Sequence, residues 1–69
     1  MSNPKIKEKI FSLLKRNFPK DFSIQEVADD TGFHRNTVST YLKVLVAGKK
    51  AVITRSIGKV NLYAYNKEK

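Results

Sequence analysis

Hydrophobic positions recur along this chain with two periods, and the change from one to the other falls near Gly48. In the N-terminal segment Ile6, Ile10, Leu13 and Leu14 share one face at helical spacing, with Phe11 and Phe18 at its edge. Lys5, Lys7, Lys9, Lys15 and Arg16 cover much of the remaining surface. Asn3 is a natural cap and Pro4 suits a first helical position, so the spacing predicts an amphipathic helix from residue 4 to about 17, ending before Pro19. Residues 19–21 read as a loop, and Phe22-Ser23 as room for one short strand.

Next come two short helices. Ser23 and Glu26 have the spacing of a capping box, in which hydroxyl and carboxylate each satisfy an orphan amide of the first turn. Phe22 and Val27 stand where a hydrophobic staple would close over that cap. The helix so begun runs over residues 24–31 and stops at Gly32, which accepts the left-handed conformation of a sharp exit. A further helix spans residues 35–47, with Val38, Leu42 and Leu45 as its buried stripe, Tyr41 and Val46 bordering it, and Gly48 as its stop. Two helices joined by a short turn containing Gly form a helix-turn-helix arrangement.

Beyond Gly48 the period becomes two. Residues 51–56 and 59–65 are rich in β-branched and aromatic side chains and flank Ile57-Gly58, which predicts a hairpin. Alternation puts Val60, Leu62 and Ala64 on one face of its second strand and Asn61, Tyr63 and Tyr65 on the other. It leaves open which face packs inward.

Charge changes the picture by its placement. The 69 residues carry a net +8, yet residues 1–30 hold six basic and five acidic side chains. Residues 31–67 hold seven basic residues and no acid. A field this lopsided points to a polyanion on the surface made by the C-terminal half. There is no cysteine, which excludes disulfides and thiolate metal sites. The apolar runs fall far short of a membrane span and no signal-peptide pattern opens the chain, so the expectation is a soluble cytoplasmic protein. Catalysis finds no support: His34 is the sole histidine, Asp29-Asp30 reads as helix surface, and no nucleophile motif or phosphate-cradling glycine loop is present. No enzyme activity, metal, cofactor or small-molecule effector is therefore expected.

Helix, helix-turn-helix, then hairpin is an order that resembles the winged helix-turn-helix regulators of prokaryotes, the ArsR, MarR and Lrp-like groups. The residues that carry the resemblance are Val27-Ala28-Asp29, Thr31-Gly32-Phe33, Thr37-Val38-Ser39, Leu42-Lys43-Val44-Leu45 and the closing Gly48. Tyr63-Ala64-Tyr65 resembles the end of a wing. The implied fold is α+β and mainly helical: three helices, an optional short strand before the second, and a two-stranded wing, all in one domain over residues 1–69. The chain departs from the pattern at His34, where Ser, Asp or Thr usually caps the second helix of the motif. It departs again at Thr40, where many relatives resemble Arg.

A helix in the major groove reads bases with its N-terminal residues while neighbouring groups hold phosphates. Asn36 can pair two-fold with adenine, Thr40 can set its methyl against thymine, and Arg35 can reach guanine or a phosphate. Thr37 and Ser39 suit phosphate, Lys43 extends the basic face, and Lys49 and Lys50 follow it. Arg55, Ser56 and Lys59 surround the hairpin tip, where Ile57 is expected to fold back onto the domain, the alternative being insertion into a groove as a wedge. The sequence thus predicts a sequence-specific double-stranded DNA-binding protein, in its simplest form a transcriptional regulator. A homodimer is possible through Phe11 and Phe18 unless those rings belong to the core. The alternatives are a winged-helix module that binds protein within a larger assembly, or a nonspecific nucleic-acid coat.

Overall fold

Three helices followed by one antiparallel hairpin make up the computed structural model, which describes residues 4–67. Helix α1 spans Pro4–Arg16, α2 Ile24–Thr31 and α3 Arg35–Ala47; strands β1 and β2 span Ala51–Ile57 and Val60–Tyr65. Asn3, expected to cap α1, lies outside the described residues. No helix among those described is long and apolar enough to cross a membrane.

The local signals of the helix pair are realised atom by atom. The Ser23 hydroxyl accepts from the Glu26 amide at 3.1 Å, and the Glu26 carboxylate accepts from the Ser23 amide at 2.9 Å. Gly32 ends α2 at φ 81°, its N–H reaching the Ala28 carbonyl at 2.8 Å. Thr31 ties the turn down further, donating its hydroxyl to the Val27 carbonyl at 2.7 Å and accepting from the Phe33 amide at 3.3 Å. The exit from α3 is different. Gly48 caps it with φ −84°, and the left-handed position belongs to Lys49 at φ 61°. A Cβ in that region clashes with the following carbonyl, so Lys49 holds a strained conformation that glycine would adopt freely.

One core joins all five elements. Ile10 and Leu14 of α1, Val27 of α2, and Val38, Leu42 and Leu45 of α3 are fully buried, and Phe22, Ala51 and Tyr63 close the cluster. The expected strand at Phe22-Ser23 contracts to a single antiparallel bridge. Phe22 and Tyr63 exchange both N–H···O bonds at 2.7 Å, so β2 is paired on both sides at that point. Alternation fails to assign an inward face to β2, because Leu62, Tyr63 and Ala64 are all buried while Val60 and Asn61 are bare. Burial here follows position along the strand, the base covered and the tip not. Phe11 and Phe18 both meet the Tyr65 ring, with centroids 5.6 and 5.7 Å away. Those two aromatics bind the hairpin to α1 and the turn that follows it.

The hairpin connection lies one residue later than the sequence suggests. Ile57 pairs with Val60, so the turn is Gly58-Lys59, with Gly58 at φ 61°. Positive φ at the first central residue alone matches the Gly-X form of a two-residue hairpin. A second irregularity lies at Thr54, a bulge between the pairs Ile53–Tyr63 and Arg55–Leu62.

Candidate nucleic-acid interface

The exposed side of α3 is built by the same periodicity that buries Val38, Leu42 and Leu45. Arg35, Asn36, Thr40 and Lys43 are exposed, and Thr37 and Ser39 are half-buried at the flanks. The Thr40 hydroxyl donates to the Asn36 carbonyl at 3.0 Å, which occupies its proton on an otherwise exposed residue. The Asn36 carboxamide has no hydrogen-bond partner among the described residues, so both its donor and its acceptor remain for a ligand. Val44, 44% exposed, also lies on this side. Sequence reasoning left it out because valine reads as core, although its spacing from Thr40 and Ala47 would have placed it here.

His34 caps α3. Its Nδ1 accepts from the Asn36 amide at 3.1 Å, an arrangement in which the ring's N–H is on Nε2. The exposed ring therefore carries one N–H donor at the start of the helix, beside Arg35. Its sequence position was a sufficient signal, since any acceptor just before a helix competes for those amides.

Apart from Lys43, exposed midway along α3, the cations expected around the helix separate into three groups. Arg35 and Lys59 come together: a groove of about 220 Å³ is lined by Ser23, Ile24 and Gln25 from α2 and its cap, Arg35 from α3, and Lys59, Val60 and Asn61 from the hairpin. Lys49 and Lys50 lie at the other end of α3, roughly 20 Å away along a helix of this length. Lys49 offers its carbonyl to the Asn66 side chain at 2.8 Å, and the Lys50 ammonium stands 5.7 Å from the Phe11 ring centroid. These two lysines border a groove with Phe11 and Tyr65, not the one with Lys59.

Arg55 forms the third group and is engaged in holding the hairpin. Its Nε donates to Asp21 at 3.0 Å, and the Thr54 hydroxyl donates to the same carboxylate oxygen at 2.6 Å. Asp21 thus clamps the bulge from the segment that bridges the other edge of β2. The Thr54 hydrogen bond, then that of Arg55, stabilises the ionised carboxylate and holds the Asp21 pKa below its ordinary value. Ser56 donates its hydroxyl to Asn61 Oδ1 at 2.6 Å, across the strand pair. Ile57 does not fold back as expected: it is 60% exposed, because its partner Val60 sits at the same bare tip.

Among the described residues no three His, Cys, Asp or Glu side chains gather as metal ligands. Comparisons with known protein families, with curated proteins and with solved structures find nothing that matches this chain.

Proposed function

We propose that this chain is a winged helix-turn-helix protein that binds double-stranded DNA with sequence preference, in its simplest role a transcriptional regulator. α3 enters the major groove and the β1–β2 hairpin acts as the wing. The observation that carries this reading is the pairing of Arg35 with Lys59. Residues from the start of α3 and from the hairpin tip line one groove, and no acidic residue occurs from 31 to 67. A cation on the helix next to a cation on the hairpin makes a continuous track for a phosphate backbone. On the exposed side of α3, Asn36 and Thr40 offer a two-way amide and a methyl, groups that distinguish adenine and thymine in the major groove. His34 Nε2, Thr37 and Ser39 supply hydrogen bonds to phosphate around the helix N-terminus.

An NMR titration with a duplex selected from a random pool, a scrambled duplex and two salt concentrations tests the proposal. Shifts should concentrate on residues 34–44 and 57–61, and the selected duplex should bind more tightly. With Arg35, Lys43 and Lys59 as the phosphate cations, log affinity should fall with log salt at a slope of about −3. A slope near about −5 would bring Lys49 and Lys50 into the contact as well. Absence of shifts at low salt would sink the DNA reading; equal affinity for both duplexes would remove its sequence preference.

A further inference from the structure

The hairpin tip carries the wrong residues for a solvated turn. Ile57 and Val60 face each other directly across Gly58-Lys59 and are 60% and 49% exposed. Positions beside such turns have no need of large apolar groups, and the two add nothing to the core. As a cross-strand pair they support the hairpin modestly, a role two threonines would fill as well.

We propose that Ile57 and Val60 form an apolar wedge that enters the minor groove of duplex DNA and opens a base step, with Lys59 on the adjoining phosphate. The inference rests on the DNA-binding reading above and adds a deformation to it. Three observations favour DNA as the occupant. The first is position: the tip shares a groove with Arg35, so with α3 in the major groove the tip meets the neighbouring minor groove. The second is charge. Residues 31–67 carry cations only, so a second copy docked at the tip would set like fields against each other, whereas a polyanion neutralises them. The third is size. Two side chains fall far short of the ~800 Å² per partner of a standard protein interface, but one or two apolar side chains are the usual content of a base-step wedge. The hairpin is also braced for the task. Asp21 clamps Thr54 and Arg55, and Phe22 clamps Tyr63, so force at the tip is carried into the core.

The test uses the full chain and a selected duplex of about 20–30 base pairs, labelled at both ends for energy transfer. A fluorescent adenine analogue is placed in turn at each flexible pyrimidine–purine step. Wild-type protein should raise the analogue's emission severalfold at one step and bring the duplex ends closer. The double variant Ile57→Thr, Val60→Thr keeps β-branching at both positions. It should bind with the same salt slope but roughly tenfold more weakly, and give neither signal. Binding by wild-type protein with no emission change at any step overturns the wedge and leaves the DNA reading standing, whether or not the variant folds. No binding at low salt removes both. Sedimentation that shows a dimer of the wild-type chain, lost in the double variant, assigns the tip to a second copy and likewise overturns the wedge.

Discussion

The base and the tip of the hairpin are made of similar residues and live in different environments. At the base, Tyr63 lies in the core, its backbone is tied to Phe22, and Tyr65 meets Phe11 of α1 and Phe18 of the turn after it. At the tip, Ile57, Lys59 and Val60 are exposed, and Lys59 and Val60 line only an open groove with Arg35. β-Branched and aromatic residues make both strands, so strand propensity cannot separate the halves. What separates them is cover: the fold shelters Ala51 and residues 62–64 and leaves the tip, with the rest of β1, exposed. A tip supported in this way is positioned without being buried, which suits a binding element.

The largest expected effect is at the base. Tyr63→Ala removes a buried ring and should cost about 3–5 kcal/mol of stability, read as the midpoint of urea unfolding. A small domain has little reserve, so this variant should be largely unfolded at warm temperature. Retention of a wild-type midpoint would mean that the base is not anchored through this ring.

Next in size is the contrast between Lys59 and Arg55, two cations of one hairpin. Lys59→Ala should reduce the salt slope of DNA binding by about 1 and leave unfolding unchanged. Arg55→Ala should do the reverse. It releases Asp21 and loosens the bulge, lowering stability, while the slope stays at the wild-type value. Equal loss of slope in both variants would place Arg55 on DNA and show that its bond to Asp21 gives way on binding.

That contrast also marks how far the sequence could be read. Helix limits, the capping box, the Gly32 exit and the buried stripe of α3 were legible because each depends on neighbours within one or two turns. The polar face of α3 followed from the same period. The fate of Arg55 was not legible, because its partner Asp21 is 34 residues away and comes near only once Phe22 has bridged Tyr63. Lys50 illustrates the same limit: its neighbour Phe11 belongs to the first helix. Counting cations along the chain therefore treats alike side chains that the fold sets apart, since Arg55 is bound to Asp21 and Lys50 stands over the Phe11 ring. The tip was misread for a local reason, the turn falling at Gly58-Lys59 and leaving Ile57 as a strand residue without cover.

A smaller effect, and of opposite sign, is expected where α3 ends. Lys49 occupies a left-handed conformation at φ 61°. Lys49→Gly removes the Cβ conflict at the cost of a more flexible unfolded chain, and should stabilise the protein by about 1 kcal/mol. Since Lys49 lies at the end of α3 remote from Lys59, DNA affinity should hardly change. A marked loss of affinity would instead extend the interface along the whole helix.

The smallest effect concerns the Asp21 clamp and appears only in acid. Thr54 and Arg55 lower the Asp21 pKa in the folded chain below its ordinary 3.8. The folded carboxyl is then harder to protonate than the unfolded one, so its contribution is complete above the ordinary value and is lost as pH falls through the folded value. Asp21→Asn keeps the shape and removes the charge. The difference in urea midpoint between wild type and this variant should be constant near neutral pH and shrink below about pH 4. It should also shrink with added salt, because Arg55 remains largely exposed and its pairing is screened. A difference that persists unchanged in acid would show that the Asp21 charge does not hold the bulge, and the bracing of the tip would then not depend on this ionised carboxylate.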